Sequence, residues 1–359
     1  MPAPKTVVQN EEQGRQDRDN PNGEKAFLHF HQPSKCGAPT IIQPMRKAFL
    51  IYNPASGRRR AKRKQDIARV VEVLRAAGVE TETCATTHIG SAIQQVQAAL
   101  ARGFDTVISC GGDGTANEAL NGIMRACAER ASVDVALGLV PLGSGNLLAS
   151  DLGLPSDPVE AAKRLLTYQP REFRPGLVSS QGANGPEKRY FLVAAGVGAD
   201  AELMYRTEVE AKERWGRNAY FLEMARMALR RRYPMFHIEW EDEQGKRQQG
   251  AAMLAMCVRA GKFPGLLSLV NLGTSLLRHD FCLLLFRTNK IRRFFSYFAG
   301  VATGRNWKVE SVDAIHTKWF RCTAIPGMRT VHSQADGELL GILPAELTIE
   351  GRPVKLLME

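Results

Sequence analysis

The stretch that decides the fold is residues 107–118, which read Val-Ile-Ser-Cys-Gly-Gly-Asp-Gly-Thr-Ala-Asn-Glu. It begins as an apolar run typical of a buried strand and passes through glycines into a segment with helical spacing, Ala116 to Ala128. Glycines at such a junction let backbone N–H groups approach phosphate oxygens, and the amino-terminal end of the helix adds a favourable field. The stretch therefore predicts a phosphate-binding loop. The simpler alternative is a tight turn whose Asp113 caps the helix.

Short apolar runs alternate with helical segments on both sides of this loop. Strands are predicted at Ala48 to Tyr52, Val79 to Ala85, Thr106 to Ser109 and Val135 to Val140. Helices are predicted between them from apolar residues spaced i, i+3, i+4, i+7: Ile67, Val70, Val71 and Leu74, then Ile93, Val96 and Leu100. This alternation indicates a parallel sheet with helices on its faces, and ligands of such sheets bind at the carboxyl ends of the strands.

Three further loops follow predicted strands and carry small or hydroxylated residues. They are residues 53–57 (Asn-Pro-Ala-Ser-Gly), 86–92 (Thr-Thr-His-Ile-Gly-Ser-Ala) and 141–146 (Pro-Leu-Gly-Ser-Gly-Asn). Because the carboxyl ends of parallel strands meet at one edge of a sheet, four such loops predict a site for a triphosphate and its adenine. Asp113 would order magnesium or accept a proton there. Asn117 and Glu118 would face the same opening from the first turn of the helix.

The chain is predicted to have three parts. Residues 1–45 are polar and read as a disordered tail, residues 46–168 form the α/β domain, and residues 169–344 form a mainly antiparallel β-rich domain. Within the third part, a hairpin is predicted from His237 to Glu241 and Ala251 to Val258. Further strands are predicted at Phe281 to Phe286, Trp307 to Val312, Lys318 to Ala324 and Leu347 to Glu350, with helices at Asn218 to Arg231 and Ile291 to Val301.

Composition excludes several classes of protein. Seven cysteines without a Cys-x-x-Cys pair argue against a disulfide framework, and the absence of a long apolar run or a secretory signal predicts a cytoplasmic protein. A formal net charge of +11 predicts a phosphate-bearing partner: nucleic acid, an anionic membrane surface or a nucleotide. The densest basic run, Arg58 to Lys64, has no nucleic-acid reading module around it, so no nucleic-acid partner is expected.

Residues 53–57, 111–118 and 141–146, in this order, resemble motifs of the diacylglycerol kinase catalytic domain family, which includes bacterial soluble lipid kinases, sphingosine kinases and ceramide kinases. Gly-Val-Gly-Ala-Asp-Ala at 196–201 and Asp-Gly-Glu at 336–338 support the resemblance. The resemblance implies a parallel α/β nucleotide-binding domain followed by a mainly antiparallel β-sandwich domain that binds lipid. It also implies that a carboxyl-terminal segment, about 345–359, returns to the first domain.

The resemblance also implies which residues do the chemistry. It places ATP, with Mg²⁺, against Asn53, Thr86, Gly111, Gly112, Asp113, Gly114, Thr115, Ala116, Asn117 and Ser144, with Glu118 supporting the mouth of the helix. Asp336 matches the general base of bacterial members, Asp113 matches that of sphingosine kinases, and Glu338 lies beside the base. The choice between the two aspartates stays open. Asp280 is the counterpart of a structural metal ligand in the second domain, although the glycine that usually follows is absent.

These observations predict an ATP-dependent kinase that phosphorylates a lipid hydroxyl, most readily diacylglycerol or else a sphingoid base, ceramide or phosphatidylglycerol. Its basic clusters favour transient docking on the inner, anionic membrane surface. One alternative is an enzyme that phosphorylates a nicotinamide dinucleotide, whose family shares Gly-Gly-Asp-Gly-Thr. Another is a nucleotide-binding protein of the same fold without turnover, which has no need of three acidic groups beside a polyphosphate.

Overall fold

The computed structural model describes residues 45–57, 60–130, 133–199, 201, 233–261, 273–288, 293 and 312–359. The predicted tail lies outside these residues except for Met45. The predicted helix at 218–231, nearly all of the one at 291–301 and the strand at 307–311 also lie outside them.

The first part of the described chain is an α/β unit. Its strands are β1 (Lys47–Tyr52), β2 (Glu80–Ala85), β3 (Thr106–Gly111), β4 (Ala136–Pro141), β5 (Gln169–Phe173) and β17 (Val354–Met358). Its helices are α1 (Arg63–Ala76), α2 (Ser91–Ala101), α3 (Asp113–Glu129), α4 (Leu147–Asp151) and α5 (Pro158–Leu165), with a short 3₁₀ helix at Arg60–Lys62. The strands lie in the order β2-β1-β3-β4-β17-β5, and the neighbouring pairs from β2 to β17 are all parallel.

The second part is a large antiparallel sheet. Its strands are β6 (Gly176–Gly182), β7 (Gly185–Phe191), β8 (Ala194–Gly198), β9 (Phe236–Glu241), β10 (Arg247–Ala252), β11 (Leu254–Val258), β12 (Phe281–Phe286), β13 (Val312–Thr317), β14 (Trp319–Ala324), β15 (His332–Ala335) and β16 (Glu338–Ile349). The main path runs β10-β9-β14-β16-β15-β8-β11-β12-β13, and β6 joins β16 to β7. Antiparallel pairing throughout makes short connections possible, and β15 and β16 are joined by a tight turn.

The predicted fold class, a parallel α/β part followed by an antiparallel sheet, is confirmed. The apolar stripe that predicted α1 is also found buried, with Ile67, Val70, Val71 and Leu74 all at most 9% exposed. The first sheet takes β5 and β17 from beyond residue 168, and β17 lies between β4 and β5. The domain bounds at 46–168 and 169–344 stay a prediction.

Two predicted strands of the second part are wrong in their extent. The return strand of the hairpin with β9 is Arg247–Ala252, while Leu254–Val258 pairs instead with β8 and β12. The apolar run that began at Ala251 therefore belongs to two strands, because apolar composition alone does not mark the break at Met253. The strand predicted at Leu347 to Glu350 is the end of the longer strand β16, whose bulges obscure its alternation.

Helices within the described residues do not include one both long enough and apolar enough to cross a bilayer.

Candidate active site

The loop between β3 and α3 packs directly on the loop after β4. Leu142 and Gly143 both donate their backbone N–H to Gly111 O, at 2.9 and 3.1 Å. A Cβ placed on Gly143 would lie 2.8 Å from the backbone nitrogen of Gly112 and closer still to its Cα, so a side chain there would separate the two loops. The glycines thus form a backbone surface at the carboxyl ends of β3 and β4, next to the amino terminus of α3. Such a surface fits a phosphate chain.

Asp113 is the first residue of α3, yet its carboxylate caps a different helix. It accepts backbone N–H bonds from Leu147 and Leu148, both at 3.0 Å, at the start of α4. The N-cap position of α3 is Gly112, which has no side chain, so no side-chain hydrogen bond caps this helix. The alternative predicted from the sequence, that Asp113 caps α3, is therefore wrong, because the carboxylate caps α4 instead. One oxygen bonds Leu147 and the other Leu148, so each keeps lone-pair capacity for magnesium or a proton.

Glu118, one turn into α3, connects the loop after β2 to the same site. Its carboxylate oxygens accept N–H bonds from Gly90, at 2.8 Å, and from Ala92, at 3.1 Å, at the start of α2. Its side chain is buried, so these bonds compensate for the loss of water. In the same loop, half-buried Thr86 donates its backbone N–H to Tyr52 O at 2.8 Å. This contact holds the loop next to the end of β1.

Arg63 lies among the loops of the candidate site, although the sequence placed it on a charged surface. It is only 2% exposed, and its Nη2 donates to Leu142 O at 2.7 Å and also to Ser56 O. It therefore joins the loop after β1 to the loop after β4, beside Gly57, whose φ of 74° favours glycine. Burial lowers the pKa of Arg63, and the nearby Asp66 opposes that change. Spacing could have found it, because Arg63 lies four residues before Ile67 on the buried stripe of α1.

Asp336 lies in the turn between β15 and β16, with a φ of 48°. Its Oδ1 accepts N–H bonds from Val193 and Ala194, at 2.8 and 3.0 Å. Its Oδ2 accepts one from Leu192 at 2.8 Å and one from the Asn117 amide at 2.7 Å. The last contact brings Asp336 to α3. Burial raises the pKa of Asp336 to about 6, although all four donors favour the charged form.

Glu338, two residues further on, also lies at the start of α3. Its Oε2 accepts from Arg189 of β7, and a Cβ placed on Gly114 would lie 3.3 Å from its Oε1. Arg189 was not singled out in the sequence, since no motif marks it. Asp336 and Glu338 therefore approach residues 111–118 from the second sheet. Three of the five predicted acidic residues, Asp113, Asp336 and Glu338, therefore lie around the first turns of α3, the helix that also contains Glu118.

A small cavity lies between the glycine loop and α4, lined among others by Ser109, Gly112, Asp113 and Asn146. Ser109 is 2% exposed, and within the described part of the chain its hydroxyl oxygen has no hydrogen-bond partner. Outside this cavity, the glycine backbone that a Cβ would block and the Asp113 carboxylate with its free lone pairs suit a magnesium–polyphosphate group. The residues present therefore fit ATP with Mg²⁺.

Three predicted residues are not joined to this arrangement by the contacts of the described residues. Ser144 is exposed in the loop after β4, and Asn53 uses its amide oxygen to accept from Ala55 N within its own loop, at 2.8 Å. Asp280 pairs with Arg278, from Nε to Oδ1 at 2.7 Å, and this guanidinium lowers the pKa of Asp280. The described residues contain no cluster of three or more His, Cys, Asp or Glu that could hold a metal. The roles of all predicted site residues stay predictions.

The chain is similar to known proteins over most of its length. Residues 47–178 match the family described as the diacylglycerol kinase catalytic domain. A diacylglycerol kinase of Bacillus subtilis (strain 168) is 31% identical over 317 residues, which cover 88% of this chain and 97% of that protein. A diacylglycerol kinase of Staphylococcus saprophyticus is 28% identical, covering 83% of this chain and 91% of that protein.

The fold is also similar to that of a solved structure. The crystal structure of a diacylglycerol kinase from Bacillus anthracis str. Sterne aligns with a TM-score of 0.63 at 20% identity. The alignment covers 87% of this chain and 97% of that chain, so the fold is shared over nearly all of both proteins.

Proposed function

Because the chain belongs to the diacylglycerol kinase catalytic domain family, we propose that it transfers the γ-phosphoryl group of ATP to the hydroxyl group of diacylglycerol. Family membership makes the chain a kinase; the acceptor is the part proposed. The observation that carries the proposal is the contact between Asp336 and Asn117, at 2.7 Å. It joins a carboxylate of the second sheet to the helix whose amino terminus adjoins the glycine loop.

The loops of the first sheet would bind and orient the nucleotide. Backbone N–H groups of residues 111–114 and the amino terminus of α3 favour the negative charge of the phosphates. When bound, magnesium would neutralise charge on the β- and γ-phosphates, and Asp113 would hold it through the lone pairs that α4 leaves free. Arg63 and Glu118 hold the loops of the first sheet against one another. Most of the catalytic effect would thus be positioning and charge stabilisation.

Asp336 would take the proton of the lipid hydroxyl as the hydroxyl oxygen bonds to the γ-phosphorus and the bond from that phosphorus to the oxygen of the leaving ADP breaks. A base works best with a pKa near the operating pH, and a pKa of about 6 leaves Asp336 ionised at neutral pH yet more basic than an ordinary aspartate. Its four donors include three backbone groups and one side chain.

The experiment that tests the function uses ATP, Mg²⁺ and dioleoylglycerol in mixed micelles, with detection of the phosphorylated lipid. Parallel reactions contain a sphingoid base, ceramide, phosphatidylglycerol or a nicotinamide dinucleotide as the acceptor. Labelling of diacylglycerol above the other acceptors supports the proposal. Labelling of the dinucleotide alone, or nucleotide binding without labelling of any acceptor, would replace it with one of the two alternatives.

The substrate is held in membranes, so the proposal includes transient docking of a cytoplasmic protein on an anionic surface. Lys62 and Lys64 are exposed on either side of buried Arg63 and are available for such contact. Each basic residue near an anionic leaflet contributes about 1 kcal/mol. Sedimentation with vesicles containing phosphatidylglycerol should therefore weaken about tenfold or more in Lys62→Glu/Lys64→Glu. Unchanged sedimentation would remove this run from the docking surface.

A further inference from the structure

Asn121 lies one turn after Asn117 on α3 and is 4% exposed. Its side-chain amide makes contacts in two directions. Its Oδ1 accepts the backbone N–H of Tyr190 at 3.0 Å, and its Nδ2 donates to Tyr190 O at 3.0 Å. The same Nδ2 donates to the Asn117 side-chain oxygen at 3.1 Å and to Asn117 O at 2.9 Å. Asn121 therefore links the end of β7 to the side chain that contacts Asp336.

The direction of these bonds is fixed at both ends. An asparagine amide can present either its oxygen or its NH₂ to a given neighbour, so its orientation depends on the roles of its partners. At one end the Tyr190 N–H can only donate, so Asn121 must turn its oxygen toward it. At the other end both an ionised Asp336 and Tyr190 O, which lies 2.8 Å from Asn117 Nδ2, can only accept. With its oxygen committed to Tyr190, Asn121 presents NH₂ to Asn117, which in turn presents its oxygen to Asn121 and its NH₂ to Asp336.

We propose that Asn121 is a positioning residue of the kinase site: by donating to the oxygen of the Asn117 amide, it holds this amide in place and keeps the NH₂ of Asn117 on Asp336. This inference rests on the proposed function, because it assigns Asn121 a role in preparing the base. Without Asn121, the Asn117 amide loses the donor that holds its oxygen. Asn117 is 1% exposed, so its oxygen would then be buried without a donor, and the amide would shift toward the N–H of Tyr190 that the same change frees. Its NH₂ would leave Asp336, which disfavours the charged form.

Other charged and titratable groups around Asp336 do not perform this function. Arg259, from the end of β11, is fully buried, and Asp336 opposes the fall of the Arg259 pKa caused by burial. Cys257 lies on the same strand, and Asp336 contributes to the rise of its thiol pKa. Glu338 follows on β16 and is paired with Arg189. These groups change the field at Asp336, whereas Asn117 is the side chain that donates to it directly.

A double-mutant cycle tests the inference. The four proteins are wild type, Asn121→Ala, Asn117→Ala and the double variant, assayed for kcat/KM with dioleoylglycerol from pH 5 to 8. We expect Asn121→Ala to lower kcat/KM about tenfold at pH 6.5 and to raise the pKa of its acid limb by about one unit, with the KM for ATP changed less than about twofold. In the Asn117→Ala background the second change should have almost no further effect, because Asn121 acts through Asn117.

Gln97→Ala is the matched control. Gln97 is also an amide that connects two helices, since it donates to Glu129 Oε1 at 3.0 Å at the exposed side of α2 and α3. Its removal should change neither the pKa of the acid limb nor kcat/KM. A merely structural role for Asn121 would lower thermal stability and activity equally in both backgrounds, without moving the acid limb, and that additive result would overturn the inference.

A readout without turnover separates this inference from the proposed function. Aspartate labelled with ¹³C at Cγ gives the titration of Asp336 directly, assigned by its loss in Asp336→Asn. A pKa raised by about one unit in Asn121→Ala, in a folded protein, supports the inference even if no lipid is phosphorylated. An unchanged Asp336 titration contradicts the inference even if diacylglycerol kinase activity is found.

Discussion

The glycine loop at residues 111–114 and the turn at residues 336–338 supply the two sides of the candidate site, and they are built differently. The loop owes its shape to its own sequence, since glycines and a helix start suffice to produce a backbone surface. The contacts of the turn depend on residues that are distant in the sequence, because the donors to Asp336 lie 142 to 219 residues away. A local motif therefore predicts a binding surface, while the position of the base depends on how the two sheets meet.

The largest effect is expected from a substitution of Asp336, in the turn. Asp336→Asn should lower kcat by about 10³-fold, within the range usual for loss of a general base, with the KM for ATP changed less than about twofold. The amide cannot accept the proton, and its NH₂ would face at least one of the present donors. Steady-state kinetics and binding of a non-hydrolysable ATP analogue separate the two parameters. A loss of ATP affinity with kcat unchanged would move the base role to Asp113.

A substitution on the glycine-loop side of the site should instead weaken the binding of ATP. Gly143→Ala should raise the KM or Kd for ATP by about 100-fold, since the added Cβ meets Gly112 at 2.8 Å or less and separates the two loops. Binding of the nucleotide is measured by calorimetry. Gly351→Ala is the control, because a Cβ at Gly351 meets nothing within 4 Å and its φ does not favour glycine. Equal ATP affinity in both variants would show that the loops do not need this close approach.

Arg63 lies in a local run of basic residues, but its role depends on a loop that is distant in the sequence, the one after β4. Arg63→Met should weaken ATP binding about tenfold, because Ser56 O and Leu142 O lose their shared donor and the loops after β1 and β4 separate. Lys64→Met, at the exposed neighbouring position, removes the same charge and should leave ATP binding unchanged. Similar effects in the two variants would indicate long-range attraction by charge instead of a brace between loops.

Much of the first sheet could be predicted from the sequence, because its signals are local. Apolar spacing gave α1 and α2, and the glycine-rich junctions gave the carboxyl ends of the strands. Arg63 was missed although its spacing with Ile67 placed it on the buried stripe, since its position in a basic run suggested a surface. Apolar runs without turn residues also concealed the division between β10 and β11 near Met253.

The contacts of Asp336 could not be predicted by the same means. Leu192, Val193 and Ala194 contribute only backbone N–H groups, and every residue except proline offers one. Their side chains therefore contain no signal of the role. Asn121 has a polar side chain in a buried helix, which is a usable signal, but its partner Tyr190 lies 69 residues away. Only the resemblance to a known family had indicated Asp336 and Glu338.

The smallest expected effect is a difference in pH dependence: kcat/KM should depend on the ionisation of Asp336 in the turn, whereas ATP binding to the glycine loop should not. Burial raises the pKa of Asp336 to about 6, so the ionised form needed to accept a proton is complete only above about pH 7. Wild-type kcat/KM for diacylglycerol should therefore be level from pH 7 to 8 and fall toward tenfold per pH unit below pH 6. ATP binding, which depends on backbone groups, should change much less between pH 7 and 5.5. Near-UV circular dichroism must show the protein folded throughout. A kcat/KM profile that stays level down to pH 5 would contradict Asp336 as the base and return that role to the glycine-loop side of the site.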